Sequence, residues 1–170
     1  MIHLLLPLLL FSTAMASEET LVEVRLMGED GTLLPPAKVP RIVKTDEEWR
    51  KILSPEAYAI TRHHHTERPF CGVFLDNHKT GYYSCICCDL PLFRSEDKFN
   101  SGTGWPSFFQ PIAKENLGER VDTSFNMVRT EIHCKRCGAH QGHVFPDGPP
   151  PTYLRYCINS AALKFHETKK

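Results

Sequence analysis

A chain of 170 residues with 20 Lys+Arg against 20 Asp+Glu carries a formal net charge of +0. That balance excludes nucleic-acid or membrane-surface binding driven by bulk charge. The length and a 41% hydrophobic content suit one domain with its own core and at most a short appendage.

Residues 1–16 read as a secretory signal. The run Leu4-Leu5-Leu6-Pro7-Leu8-Leu9-Leu10-Phe11 is apolar but too short to span a bilayer as a helix. Ala14-Met15-Ala16 is a small-x-small cleavage site, and Glu18-Glu19 follow it. The residues ahead of the apolar run include His3 but no Lys or Arg, so an uncleaved anchor is the alternative. A mature chain starting near Ser17 is expected in an exported, oxidising compartment, periplasmic or secreted, with no stable membrane association after cleavage.

Residues 17–44 form an N-terminal extension with no assigned chemistry. Leu21 to Leu26 alternates like a strand, Glu29-Asp30-Gly31 signals a turn, and Pro35-Pro36 with Pro40 reads as an extended linker. The main domain is expected over 45–170. Thr45-Asp46-Glu47-Glu48 is a capping box opening a helix to about Leu53, with Trp49, Ile52 and Leu53 on one face. Ser54-Pro55-Glu56 restarts a helical turn, under which Tyr58 and Ile60 pack. His63-His64-His65 points in three directions and reads as solvated. Beyond Thr66 the helical period disappears. Val73–Leu75, Gly81–Ser84, Met127–His133, His143–Phe145 and Leu154–Ile158 read as short strands between Gly and Pro turns. In one of them Val128, Thr130 and Ile132 alternate with Arg129, Glu131 and His133. The pattern predicts a mainly β fold with an antiparallel core and short N-terminal helices.

Seven cysteines are present, an odd number that cannot all pair internally. Cys85-Ile86-Cys87-Cys88 and Cys134-Lys135-Arg136-Cys137 each hold a Cys-x-x-Cys knuckle. Cys85, Cys88, Cys134 and Cys137 thus supply four thiolates at the spacing of a structural, tetrahedral zinc site, with disulfides as the alternative. The long gap between the knuckles makes such a site a staple across a domain. Cys87 is out of register with the knuckle and has no derived role.

In Arg155-Tyr156-Cys157-Ile158-Asn159-Ser160, an extended backbone puts Arg155, Cys157 and Asn159 on one face. Leu154, Tyr156 and Ile158 fall on the other. A thiol between a cation and an amide suits a nucleophile, although most free cysteines are small buried hydrophobes. His140-Gln141-Gly142-His143 would face opposite ways in a regular strand, and a bulge at Gly142 would turn both rings toward one cavity. There they would polarise a substrate oxygen or favour a thiolate. Trp105, between Gly104 and Pro106, suits a pocket wall, whereas Phe108 and Phe109 suit a core.

Gly102-Thr103-Gly104-Trp105-Pro106-Ser107-Phe108, the two knuckles, His140-x-x-His143-Val144-Phe145-x-Asp147-Gly148-Pro149 and Arg155 to Ser160 occur in that order. Over about Thr45 to Phe165 the chain resembles the B-type methionine sulfoxide reductases, which act on the R epimer in repair of oxidative damage. The resemblance implies two antiparallel β-sheets with a structural zinc away from the active face. It implies Cys157 as catalytic nucleophile and Trp105 as the wall holding the sulfoxide methyl group. His140, His143 and Asn159 would line the pocket, Arg155 would support the thiolate, and Cys85, Cys88, Cys134 and Cys137 would bind zinc. Oxidised proteins or peptides are the implied substrates, a thioredoxin-like dithiol the implied reductant, and a monomer the expected state.

One departure stands out. Many family members carry a resolving cysteine between the two glycines of the Ser-Gly-x-Gly-Trp-Pro loop, where this chain has Thr103. Cys71, in Arg68-Pro69-Phe70-Cys71-Gly72, is the substitute expected, with Cys87 second. The rivals to this reading are a zinc-stapled, non-catalytic binding module and a thiol–disulfide oxidoreductase working through a knuckle.

Overall fold

The computed structural model describes residues 20–168, and the expected signal at 1–16 lies outside them. The strands are β1 (Leu21–Val24), β2 (Ala37–Pro40), β3 (Gly81–Cys85), β4 (Pro91–Arg94), β5 (Lys98–Phe99) and β6 (Ser107–Phe108). They continue with β7 (Leu117–Asp122), β8 (Arg129–Cys134), β9 (His140–Phe145), β10 (Arg155–Ile158) and β11 (Leu163–Glu167). Two helices, α1 (Asp46–Ile52) and α2 (Pro55–His63), precede the main sheets. The fold is mainly β, with a six-stranded sheet in the order β5-β6-β10-β9-β8-β7 and a three-stranded sheet in the order β11-β3-β4. Their pairings are antiparallel.

The aromatic residues that end the short strands form the layer between the sheets. Phe93 from the smaller sheet stacks on Phe108 from the larger, with ring centroids 4.4 Å apart. Tyr83 meets Phe108 edge to face at 5.2 Å. Both geometries suit the ring quadrupole. Ile132, Ile158 and Leu92 fill the remainder and are fully buried.

Thr45 caps α1 as expected. Its hydroxyl accepts from the Glu48 amide at 3.3 Å, and the Glu48 carboxylate accepts from the Thr45 amide at 2.7 Å. Trp49 and Leu53 are buried, but Ile52 is exposed. The helix ends at Ile52, and Leu53 takes the inward place as an extended cap. Ser54 caps α2, Pro55 occupies its first turn, and Tyr58 and Ile60 pack beneath it. The Arg62 guanidinium covers the Trp49 ring at 4.8 Å, tying the two helices together.

Four local expectations change. The stretch read as a linker pairs as β2 against β1, with Pro35 and Pro36 ahead of the ladder and Pro40 ending it opposite Leu21, at an edge strand where a missing donor is tolerated. Val22, Val39 and Ile42 then pack on the core around the buried Val24. Val73 to Leu75 turns instead of forming a strand, with the Leu75 amide on the Gly72 carbonyl at 3.0 Å. Phe74 anchors that turn against Tyr83 and Phe165, while Val73 stays exposed. Val128 lies outside β8, on the β7–β8 connection, and is 83% exposed. Glu131 is buried where alternation would expose it, because Arg120 and His140 satisfy its charge.

Candidate active site

Cys157 lines a cavity of about 120 Å³ together with Thr66, Trp105, Arg129, His143, Phe145 and Asn159, among others. This is room for one side-chain end. Cys157 sits in β10, opposite Ser107 of β6 and His143 of β9. Tyr156 and Ile158 face the core, as the alternation requires.

Close backbone approach builds the cavity. A Cβ on Gly142 would lie 2.0 Å from the Cys157 carbonyl oxygen, so β9 and β10 meet there only through glycine. The pairing of β8 with β9 shifts register beside it: Ile132 faces Gly142 and His133 faces His140, leaving Gln141 as the extra residue. The expected bulge thus falls one position earlier, at Gln141. It brings the His140 and His143 rings to 5.5 Å between centroids.

The two histidines are not equivalent. His143 lines the cavity and is 2.7 Å through Nε2 from the Asp122 carboxylate. With Nε2–H donated there, Nδ1 is the nitrogen left for other partners. Burial pushes the His143 pKa down, with Asp122 opposing. His140 lies outside that cavity wall, fully buried behind His143, with Nδ1 2.6 Å from Glu131. Burial works to raise Glu131, yet His140 and Arg120 hold it well below the usual carboxylate range.

Arg155 forms a two-pronged pair with Asp147, both contacts 2.9 Å, and lies 4.4 Å over the Phe145 ring. Burial pushes the Cys157 thiol up, and the Thr103 hydroxyl and the Arg155 guanidinium counteract it. Asn159 is committed to the frame: its Oδ1 accepts from the Glu67 amide and its Nδ2 donates to the Gln141 carbonyl, both at 3.0 Å. One N–H of that amide remains.

The segment from Thr66 to Gly72 clasps the site. Trp105 Nε1 donates to the Glu67 carbonyl at 3.1 Å, fixing the indole. The buried Glu67 carboxylate accepts from the amides of Ser160 at 2.7 Å and Ala161 at 3.0 Å. The Phe70 amide donates to the Gly104 carbonyl at 2.8 Å. Cys71 follows on this segment, exposed and outside the cavity. Glu67→Ala would leave the buried Ser160 amide and the half-buried Ala161 amide unpaired. It is expected to lower unfolding stability by about 2–4 kcal/mol, measured by urea denaturation.

Cys85, Cys88, Cys134 and Cys137 converge with their sulfurs within 4.8 Å of one another. Cys85 and Cys137 are 3.6 Å apart, and Cys88 and Cys134 are 3.5 Å apart. A disulfide needs about 2.05 Å, whereas four sulfurs about 2.3 Å from one ion stand about 3.8 Å apart. The donor set therefore fits a tetrahedral metal ion. Burial pushes the Cys85 and Cys134 thiols up, so four thiolates together here need a cation. His64, Glu131 and His140 also cluster. There the Arg120 guanidinium donates to Glu131 and lies 3.1 Å from His64 Nδ1, taking the place a cation would hold.

Thus Trp105, His143, Asn159 and Cys157 meet at one cavity, Arg155 stands beside it, His140 lies one layer behind, and Cys71 lies apart. Sequence reading missed Glu67, Asp122 and Glu131, each an ordinary acid among many until the fold places it.

An antiparallel β fold, clamped by four cysteines and holding a separate thiol in a small aromatic-walled cavity, defines a class of cysteine-bearing oxidoreductase. The SelR domain pattern matches residues 53–167. A peptide methionine sulfoxide reductase MsrB of Thioalkalivibrio sulfidiphilus is 60% identical over 126 residues, 74% of this chain and 92% of that protein. Those of Herminiimonas arsenicoxydans and Thiobacillus denitrificans are 54% identical over 128 residues and 58% identical over 123 residues. The alignments cover 75% and 72% of this chain and 93% of each relative. The chain belongs to the SelR domain family, the B-type peptide methionine sulfoxide reductases, and is an enzyme of that type.

Proposed function

We infer that this enzyme reduces the R epimer of methionine sulfoxide, mainly in oxidised proteins and peptides, with Cys157 as nucleophile. The observation that carries this reading is Cys157 on the wall of a cavity sized for one side-chain end, together with Trp105, Phe145 and His143. The indole and phenyl faces suit the sulfoxide methyl group. The remaining Asn159 N–H suits its oxygen, and so does His143 once Nδ1 is protonated. The Cys157 thiolate attacks the sulfoxide sulfur while the oxygen is protonated, with a bound water or the imidazolium form of His143, protonated at Nδ1 while Asp122 holds Nε2–H, as the acid. In the resulting adduct the hydroxyl passes from the methionine sulfur to the Cys157 sulfur; the methionine S–O bond and the new S–S bond break, methionine leaves, and Cys157 is left as a sulfenic acid. His140 acts through His143, oriented by Glu131, and Arg155 supports the negative sulfur.

Cys71 is the resolving thiol. It attacks the Cys157 sulfenic sulfur, releases water and leaves a disulfide, which a thioredoxin-like dithiol reduces by exchange. Cys71 lies outside the cavity, so residues 68–72 swing inward for this step. Cys71→Ser should reduce one equivalent of sulfoxide normally, yet lose most steady-state turnover with a thioredoxin-like reductant. Full recycling in that variant would move the role to Cys87 or to direct reduction of the sulfenic acid.

The metal at the four-cysteine cluster is zinc, structural because four sulfurs leave no open position. It supplies no redox chemistry. Residues 1–16 direct export to a periplasmic or extracellular location, where the mature enzyme works as a monomer free of the membrane. A secretion assay comparing the full chain with one starting at Ser17 tests the export step.

A further inference from the structure

Thr103 stands where many relatives place a resolving thiol, and its surroundings give it a different task. Its Oγ1 is 3.9 Å from the Cys157 sulfur. Ser101 Oγ is 2.8 Å from Thr103 Oγ1, and Ser107 Oγ is 2.8 Å from Ser101 Oγ. Ser107 is fully buried and directly opposite Cys157 in the β6–β10 pairing, so the fold itself holds the two ends of this hydroxyl run together. Gly102 and Gly104 have φ of 72° and 93°, backbone that favours glycine on either side of Thr103. At Gly104 a Cβ would meet Pro69 Cβ at 2.8 Å and the Phe70 amide nitrogen at 2.9 Å, so the clasping segment presses the loop against the site.

We propose that Thr103 is a catalytic residue of this enzyme, donating its hydroxyl proton as a hydrogen bond to the Cys157 thiolate, with Ser101 and Ser107 aligned behind it. The inference rests on the reading of Cys157 as nucleophile. Three hydroxyls can point the same way: Ser107 donates to Ser101, Ser101 to Thr103, and Thr103 to the sulfur. Each bond then polarises the next. The run moves no net proton, because each hydroxyl only turns. With a neutral thiol, Ser107 is free to donate to the Trp105 carbonyl, 3.2 Å away. A donor at this point adds to the support from Arg155, whose guanidinium is shared with Asp147, against the burial that opposes the charged sulfur.

Other charged or titratable groups around the sulfur are Arg155 on β10 with Asp147, His143 on β9 with Asp122, and Arg129 on β8. Thr103→Val keeps the shape of the side chain and touches none of them. The readout is alkylation of the Cys157 peptide by iodoacetamide across pH, followed by mass spectrometry on the metal-loaded full chain. Thr103→Val should move the alkylation midpoint upward and slow the reaction near neutral pH about tenfold, the change of one pKa unit. Thr103→Ser should stay close to the parent, and Ser101→Ala should slow it about two- to threefold. An unchanged midpoint in Thr103→Val, or an equal loss in Thr103→Ser, overturns the proposal. Ser101→Ala also decides the matter should the valine variant fold poorly: parental reactivity there rejects the aligned run. Cys157→Ser retaining turnover would instead reject the nucleophile, and the alkylation midpoints would still answer for Thr103.

Discussion

Cys157→Ser is expected to abolish methionine sulfoxide reduction, with a loss of at least about a thousandfold. A serine hydroxyl at this point does not ionise near neutral pH and is a poor nucleophile toward sulfur. The substitution changes one atom in a partly buried site, so stability should move by no more than about 1 kcal/mol. Melting temperature and metal content then serve as controls for an intact fold. The competing view, in which Cys157 is a small packed hydrophobe, predicts unchanged turnover. Its position argues otherwise, since its β10 neighbours Tyr156 and Ile158 supply the core packing while Cys157 itself is only partly buried and lines the Trp105 cavity. Assay with dithiothreitol and R-configured substrate separates the chemical step from recycling by a partner.

The parts of the site legible in the sequence are those carried by short-range spacing. The two knuckles, the glycine-flanked Trp105 and the alternation around Cys157 each span fewer than ten residues, and the backbone converts each directly into placement. What stayed hidden depends on long separations. Glu67 reaches the Ser160 amide across 93 positions of chain, and Asp122 reaches His143 across 21. No local period marks either. Strands β5 and β6 have two residues each, too few for an alternation, although β6 carries Ser107 to Cys157. Glu131 misleads alternation because a buried acid needs partners, and those partners come from β7 and β9. Val128 misleads it for the opposite reason, lying beyond the point where β8 begins to pair.

Cys134→Ser should strip the metal and destabilise the fold by several kcal/mol. Cys134 ends β8 in the larger sheet, and Cys85 ends β3 in the smaller, so an ion between them clips the two sheets beside the aromatic layer. Serine is a weak ligand at such a centre, and its buried hydroxyl costs about 1–3 kcal/mol if left unpaired. At about 2–4 °C per kcal/mol for a domain of this size, the melting temperature should fall by roughly 10 °C or more. Metal analysis and thermal unfolding check both halves, and an unchanged melting temperature in a metal-free variant would reject the staple. Reduction distinguishes a metal from disulfides: dithiothreitol should leave the parent protein's melting temperature in place, whereas a strong chelator should lower it. Because the cluster is built from the knuckles and the cavity from β6, β9 and β10, Cys134→Ser should still reduce one equivalent of sulfoxide at temperatures where it remains folded. That outcome would separate the metal, as what sets how much folded enzyme exists, from the Cys157 cavity, as the place of the chemistry.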